Sequence, residues 1–149
     1  MKRTGILAVA AGVGLAVGLT GMALSAGNPM EERQATMKQV GQAMKEAGGY
    51  ASGQTPFDAA KVKTLMDGVS GAAKKLHGLY PKGSGDDPKS AADPKIWENK
   101  ADFDKRLTEM GAAASAAGKA SDQASFKTSF GALGATCKSC HDIYRKKKS

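Results

Sequence analysis

Apolar side chains recur at heptad spacing in four stretches of the chain, and each stretch predicts an amphipathic helix. The four apolar rows are Met30, Met37 and Met44 with Val40 and Ala47; Val62, Leu65, Val69, Ala72, Leu76 and Leu79; Ile96, Phe103, Met110 and Ala117 with Leu107 and Ala114; and Phe126, Phe130, Leu133, Cys137, Cys140 and Tyr144. No stretch reads convincingly as a strand. The pattern therefore predicts an all-α protein, an antiparallel four-helix bundle.

Capping residues predict where the helices begin. A capping side chain followed by proline, or a capping side chain alone, stands before each apolar row at Asn28-Pro29, Thr55-Pro56, Asp93-Pro94 and Ser121 or Asp122. The stretch from Gly48-Gly49 to Thr55 predicts the end of the first helix and the turn that follows it. Residues 81–93, rich in glycine, serine, proline and aspartate, predict the longest connection, between the two middle helices.

The first 26 residues have the pattern of a cleaved signal peptide. Lys2 and Arg3 precede an uncharged apolar run, and small residues around Ala26 place cleavage at about positions 23–27. A membrane anchor is the alternative, but the apolar run is short and rich in glycine. The sequence therefore predicts an exported protein with one mature domain, residues 27–149, and no stable membrane insertion after cleavage.

The positive charge changes the expected partners. The net charge is +8, and loss of Lys2 and Arg3 leaves +6 on the mature protein, much of it in residues 145–148. A basic tail is one feature of nucleic-acid-binding proteins. In an exported protein it instead favours acidic redox partners, or a solvated helix end whose cations complement the helix dipole. No nucleic-acid binding is therefore predicted.

The candidate chemistry lies in the pentapeptide Cys137-Lys138-Ser139-Cys140-His141, which matches the attachment signature of a c-type haem. Two thiols add across the two vinyl groups of one porphyrin, and the following histidine gives the iron an imidazole nitrogen. The chain has only two cysteines. One haem c is therefore predicted, covalently bound through Cys137 and Cys140, with His141 on the iron. Because the motif belongs to the last apolar row, the haem is expected to face the bundle interior.

Other interpretations of the same residues are weaker. A thioredoxin-like dithiol belongs at a helix start after a strand, and a structural zinc site needs about four ligands. The only other histidine or cysteine is His77. A disulfide between Cys137 and Cys140 is compatible with export but leaves His141 without a role.

With these motifs, the chain resembles the class II c-type cytochromes, the cytochrome c′ family, over its whole mature length. The resemblance is carried by residues 32–38 (ERQATMK), 96–103 (IWENKADF) and 126–145. It implies a four-helix bundle with the haem on the last helix and a periplasmic location in a Gram-negative bacterium. It also allows a homodimer.

The resemblance also implies roles around the iron. Met37 matches a distal position at which low-spin members have a ligating methionine, whereas high-spin members have a non-ligating side chain and five-coordinate iron. Met37 is otherwise only part of the core stripe. Arg33, one turn earlier, matches a partner of a haem propionate, with an arginine that reaches solvent as the alternative. Gln34 matches a residue near the propionates, and Arg145 a basic residue beside the proximal face.

Two functions follow, and the sequence favours the first over the second. One is an exported electron carrier with His141 and Met37 on the iron, exchanging electrons with redox partner proteins. The other is a five-coordinate cytochrome c′ that binds nitric oxide or carbon monoxide. The protein is not expected to be an enzyme, because no acid or base is obvious near Met37. His77, at a helix end, is expected at the surface and not on the iron.

Overall fold

The computed structural model describes residues 27–147, so the predicted signal peptide at 1–26 lies outside the described part. Its helices are α1 (Pro29–Ser52), α2 (Ala59–Leu76), α3 (Lys95–Glu98), α4 (Lys100–Ala117) and α5 (Gln123–Tyr144), with a 3-10 turn at His77–Leu79 after α2. The four long helices form the predicted bundle, in which α1 contacts α2 and α5, and α4 contacts the same two helices. Within residues 27–147 no helix combines the length and apolarity needed to cross a membrane.

The helix starts at both ends of the bundle were predicted correctly. The side chain of Asn28 accepts a hydrogen bond of 3.0 Å from the Met30 N–H at the start of α1. Asp122 accepts one of 2.8 Å from the Ser125 N–H at the start of α5. Each cap satisfies a backbone donor that has no partner inside the helix.

The predicted cap at Thr55-Pro56 was wrong. Helix α2 begins at Ala59, and the carboxylate of Asp58 accepts from the N–H groups of Ala60 and Lys61 at 2.9 and 3.0 Å. One aspartate therefore satisfies two backbone donors, which explains why the start lies three residues further on.

One further boundary differs from the prediction. The helix expected from Asp93-Pro94 is divided, because α3 ends after one turn and Asn99 caps a new helix, α4. Helix α1 ends at Ser52 and stops at Gly53, whose φ is +80°, inside the stretch 48–55 that was predicted to end it. Burial of Tyr50 and Ala51 lets the helix continue past the two glycines.

The buried side chains form two clusters at opposite ends of the bundle. The far cluster consists of Val40, Ala47, Tyr50, Ala51, Val62, Met66, Val69, Ala73, Met110, Ala114, Ala117, Phe126 and Leu133. The cavity cluster consists of Leu76, Tyr80, Ala92, Ile96, Phe103, Leu107 and Tyr144. Cys137 packs against the far cluster and Cys140 against the cavity cluster. The two thiols therefore lie where the clusters meet.

Small residues let α4 approach α2 closely beside the far cluster. A Cβ atom added to Gly118 would lie 3.1 Å from the Cβ of Met66, and one added to Gly111 would lie 3.4 Å from the Cβ of Ala73. Ser70 and Ser115 share a hydrogen bond of 3.0 Å across the same pair of helices. At this end the helices therefore pack directly against each other.

Candidate functional site

A cavity of about 570 Å³ lies between α1 and α5. Its lining includes every residue predicted for the site, namely Arg33, Gln34, Met37, Cys137, Cys140, His141 and Arg145. The volume is in the range of cofactor sites in proteins. The fold thus brings residues from the two ends of the described chain to one cavity.

The wall formed by α5 carries the haem-attachment motif. Cys137 and Cys140 are half-buried free thiols and form no disulfide. Burial raises the pKa of both thiols, so they are neutral at neutral pH. Partial burial lowers the pKa of His141, and the positive charge of Arg145 lowers it further. The imidazole is therefore held in its neutral form, which is the form that binds iron.

The opposite wall, on α1, presents two thioethers. Met37 and Met44 both line the cavity and are both half-buried. They are two helical turns apart, about 10.5 Å along the axis. Met37 packs against the cavity cluster, as Cys140 does, whereas Met44 packs against the far cluster, as Cys137 does.

Three aromatic rings line the cavity, and sequence reasoning did not assign them to the site. The ring centroids of Tyr80 and Phe103 are 4.6 Å apart, and those of Phe103 and Tyr144 are 5.3 Å apart, both edge to face. Burial raises the pKa of Tyr80 to about 12, so its phenol is neutral. Phe103 and Tyr144 belong to the predicted apolar rows, but Tyr80 lies beyond the second helix and had no such signal.

The donor set and the lining fit a covalently attached haem. Two neighbouring thiols and a neutral imidazole stand on one helix, thioether sulfur stands on the facing helix, and apolar or aromatic side chains lie between them. Within residues 27–147 no three His, Cys, Asp or Glu side chains converge as a structural zinc site would require. The chemistry of these residues therefore suits haem attachment better than zinc binding.

The guanidinium of Arg33 is buried, with 4% of the residue exposed, so the expected alternative of an arginine that reaches solvent was wrong. Its Nη1 donates to the Leu79 carbonyl at 3.2 Å and to Ser84 Oγ at 2.9 Å. Its Nη2 donates to the Ser84 carbonyl and to Ser90 Oγ, the latter at 2.8 Å. Gln34 Nε2 donates to the Lys89 carbonyl at 3.1 Å. Both residues that the resemblance placed near the propionates thus also bind the connection after α2.

A second polar network joins α5 to α4, and no pattern in the sequence indicated it. The Tyr144 hydroxyl donates to Asp102 at 2.6 Å, and Arg106 Nε donates to the same carboxylate oxygen at 2.7 Å. These two hydrogen bonds, that of Arg106 first, lower the pKa of Asp102. Arg106 also reaches Ser139 Oγ, inside the motif, at 3.4 Å. The network fixes the end of α5 that carries His141.

His77 lies outside the cavity. Its ring is partly exposed in the 3-10 turn, with Nδ1 3.3 Å from Asp104 Oδ1. This position agrees with the surface role predicted for it.

Comparison with known proteins gives consistent matches. The family model described as Cytochrome C′ matches residues 28–145. A relative named cytochrome c′, from Rhodopseudomonas palustris, is 40% identical over 144 residues, which cover 96% of this chain and 99% of the relative. A relative named cytochrome c-556, from Agrobacterium fabrum, is 40% identical over 128 residues, which cover 85% of this chain and 86% of the relative.

Solved structures match the fold as well. The structure of cytochrome c′ from Rhodopseudomonas palustris superimposes with a TM-score of 0.77 at 41% sequence identity. The match covers 82% of this chain and 98% of that one. The likeness therefore includes the whole bundle and not a single motif.

Proposed function

This chain belongs to the cytochrome c′ family, whose members carry one covalently attached haem c, and we propose that it is an exported electron carrier with His141 and Met37 on the iron. The observation that supports the proposal is the cavity between α1 and α5, with the attachment motif on one wall and the Met37 thioether on the other. A thioether ligand raises the reduction potential. A closed sixth position favours electron transfer over ligand binding.

In this proposal the haem, bound through Cys137 and Cys140, supplies the one-electron chemistry, and the chain supplies its surroundings. Tyr80, Phe103 and Tyr144 exclude water from one side of the cavity. The protein needs no acid or base and is not an enzyme. Export by the predicted signal peptide places the protein in the periplasm, where bacterial c-type haems are attached.

The redox partners are proposed to be acidic proteins. Lys38 and Arg145 line the cavity, and Lys146 and Lys147 are exposed just beyond it. Asp142 stands among them but forms an ion pair with Lys138 at 2.6 Å. The mouth of the cavity is therefore mainly positive and complements an acidic surface. A homodimer, which occurs among cytochromes c′, stays a prediction.

Gas binding is the second candidate function. Members of this family bind gas ligands, and the relative from Rhodopseudomonas palustris carries the cytochrome c′ name. The half-buried Met37 side chain would then stand over the open iron face without ligating it, and would limit access for nitric oxide or carbon monoxide.

Optical spectra of the purified haem-loaded protein separate the two functions. The oxidised and reduced forms are recorded with and without carbon monoxide, for the wild type, Met37→Ala and Met44→Ala. We expect a low-spin wild type that carbon monoxide barely changes, and a high-spin Met37→Ala that binds it readily. Met44→Ala is the matched control, because it removes a thioether from the same wall, and it should stay low-spin.

A high-spin wild type whose spectrum shifts with carbon monoxide would reject electron transfer through a His–Met site and favour gas binding. Loss of the low-spin spectrum in Met44→Ala alone would show that the wrong methionine had been assigned to the iron.

A further inference from the structure

The connection between α2 and α3 is attached to both walls of the cavity. We call residues 79–93 the strap. On the side of α1, the buried guanidinium of Arg33 donates its four terminal N–H groups to oxygen atoms of the strap. These oxygens belong to Leu79, Ser84 and Ser90. Arg33 stands one turn before Met37 on the same helix.

The other end of the strap is bonded to the end of the motif helix. The Asp93 N–H donates to the Tyr144 carbonyl at 3.0 Å, and the Lys146 N–H donates to the Ala91 carbonyl at 2.9 Å. Ala92 and Arg145 pair as an antiparallel bridge between them. The backbone that follows His141 is therefore tied to the same segment that Arg33 binds.

Contacts with Trp97 hold the first half of the strap. Trp97 Nε1 donates to the carbonyls of Tyr80 and Pro81 at 3.2 and 3.0 Å. A Cβ atom at Gly85 would lie 2.2 Å from the indole ring, so only glycine fits there. Because its first half is packed on Trp97 and its second half is bonded to α5, the strap can transmit a constraint from α1 to α5.

We infer that Arg33 is a positioning residue, which through the strap fixes how closely α1 approaches α5 and so how readily the Met37 side chain moves away from the iron. The inference rests on the proposed haem between the two helices. In both cases, whether Met37 ligates the iron or only covers it, carbon monoxide can reach the iron only if side chains of α1 move. The inference therefore holds for both.

The geometry explains why arginine is needed. Its planar fork matches four oxygens at once, whereas lysine has one ammonium group and cannot span them. Without the two serine hydroxyls, two of the four buried N–H groups of Arg33 would lose their partners, which weakens the attachment of α1 to the strap. Arg33 would keep its charge, so any effect of that charge on the haem would be unchanged.

The test uses the haem-loaded protein with Ser84→Ala and Ser90→Ala combined, and separately Arg33→Lys. Ser115→Ala is the matched control, since it also removes one serine hydrogen bond, between α2 and α4. Carbon monoxide association with the reduced protein is measured by stopped flow, and exchange of the Asp93 and Lys146 amides by hydrogen exchange. We expect both rates to rise about tenfold in the serine double variant, which corresponds to about 1.4 kcal/mol. The control should change neither rate.

The serine double variant decides the outcome even if Arg33→Lys fails to fold. Rates within about twofold of the wild type would overturn the inference, because the strap would then not restrain α1. A high-spin wild type would reject the proposed His–Met pair but would leave this comparison of rates intact. The two proposals therefore fail on different measurements.

Discussion

The helices are held together in different ways at the two ends of the bundle. At the far cluster, alanine and glycine let α2 and α4 meet directly, and large side chains such as Phe126 and Leu133 fill the remaining space. At the cavity cluster, α1 and α5 stand apart around about 570 Å³, joined by aromatic rings, the strap and buried hydrogen bonds. Direct packing stabilises the first end, whereas the second end depends on what its walls bind.

The difference shows how one helical bundle can combine stability with a cofactor site. The hydrophobic effect that drives burial is non-directional, so burial alone does not orient a sulfur or a nitrogen atom. Buried hydrogen bonds fix positions, because an unpaired donor inside the protein is costly. Arg33 and Asp102, with their several partners, are both found at the cavity end.

The largest effect should come from removing the haem attachment. Replacing Cys137 and Cys140 together by serine would leave the apolar cavity lining exposed to water. We expect amides in the first half of α1 and the last half of α5 to lose on the order of 5 kcal/mol of protection, about four orders of magnitude in exchange rate. Amides beside the far cluster should stay protected. The measurement is hydrogen exchange of amides at both ends of the bundle, in the variant and in the haem-loaded wild type. An equal loss of protection at the two ends would show that the far cluster is not stable without the haem.

A smaller effect is expected from Phe126→Ala at the far end. Phe126 is fully buried, so its truncation should lower the free energy of unfolding by about 3 to 5 kcal/mol. The haem spectrum should not change. Denaturant unfolding of the haem-loaded protein is the measurement, and Phe130→Ala, at a half-buried ring 5.4 Å away, should cost less. A changed spectrum would show that the two ends are not independent.

The smallest effect concerns alkaline pH at the cavity end. The pKa of Tyr80 is raised by burial from 10.0 to about 12, so its folded state retains the proton that the unfolded state releases. The contribution of this proton to the free energy of unfolding is complete below pH 10. It is lost as the pH rises to about 12, which lowers the free energy of unfolding by about 2 to 3 kcal/mol. Unfolding measured from pH 9 to pH 12 should show this loss for the wild type and much less of it for Tyr80→Phe. If the free energy of unfolding fell equally steeply with pH in the two proteins, the loss could not be assigned to Tyr80.

The sequence predicted the helices and both main walls because their signals are periodic. The row that ends in Cys137, Cys140 and Tyr144 lies on the inner face of α5, as expected. Helix α2 shows the limit of the pattern, since Met66 and Ala73 are buried but were not in the predicted row. Leu65 and Ala72, which were in that row, are only partly buried. The row of Val62, Val69 and Leu76 was placed correctly, so the helix itself was not missed.

The strap could not be predicted, because its contacts have no periodic pattern. Ser84 and Ser90 bind Arg33 across more than 50 residues of sequence, and neither differs in type from an ordinary loop serine. A charged residue in an apolar row indicated that Arg33 needs a partner. The resemblance implied a propionate as that partner and did not indicate the serines. The packing of Gly85 on Trp97 is likewise visible only in three dimensions.

The placement of the site along the chain also bears on how the protein folds. Met37 stands on the first helix and Cys137 on the last, so the two walls of the cavity close a loop of about 100 residues. Loop closure of this kind slows folding. The walls can meet only after the chain has turned back through α2, the strap and α4. We therefore expect the cavity to be completed late in folding, after local structure in the separate helices.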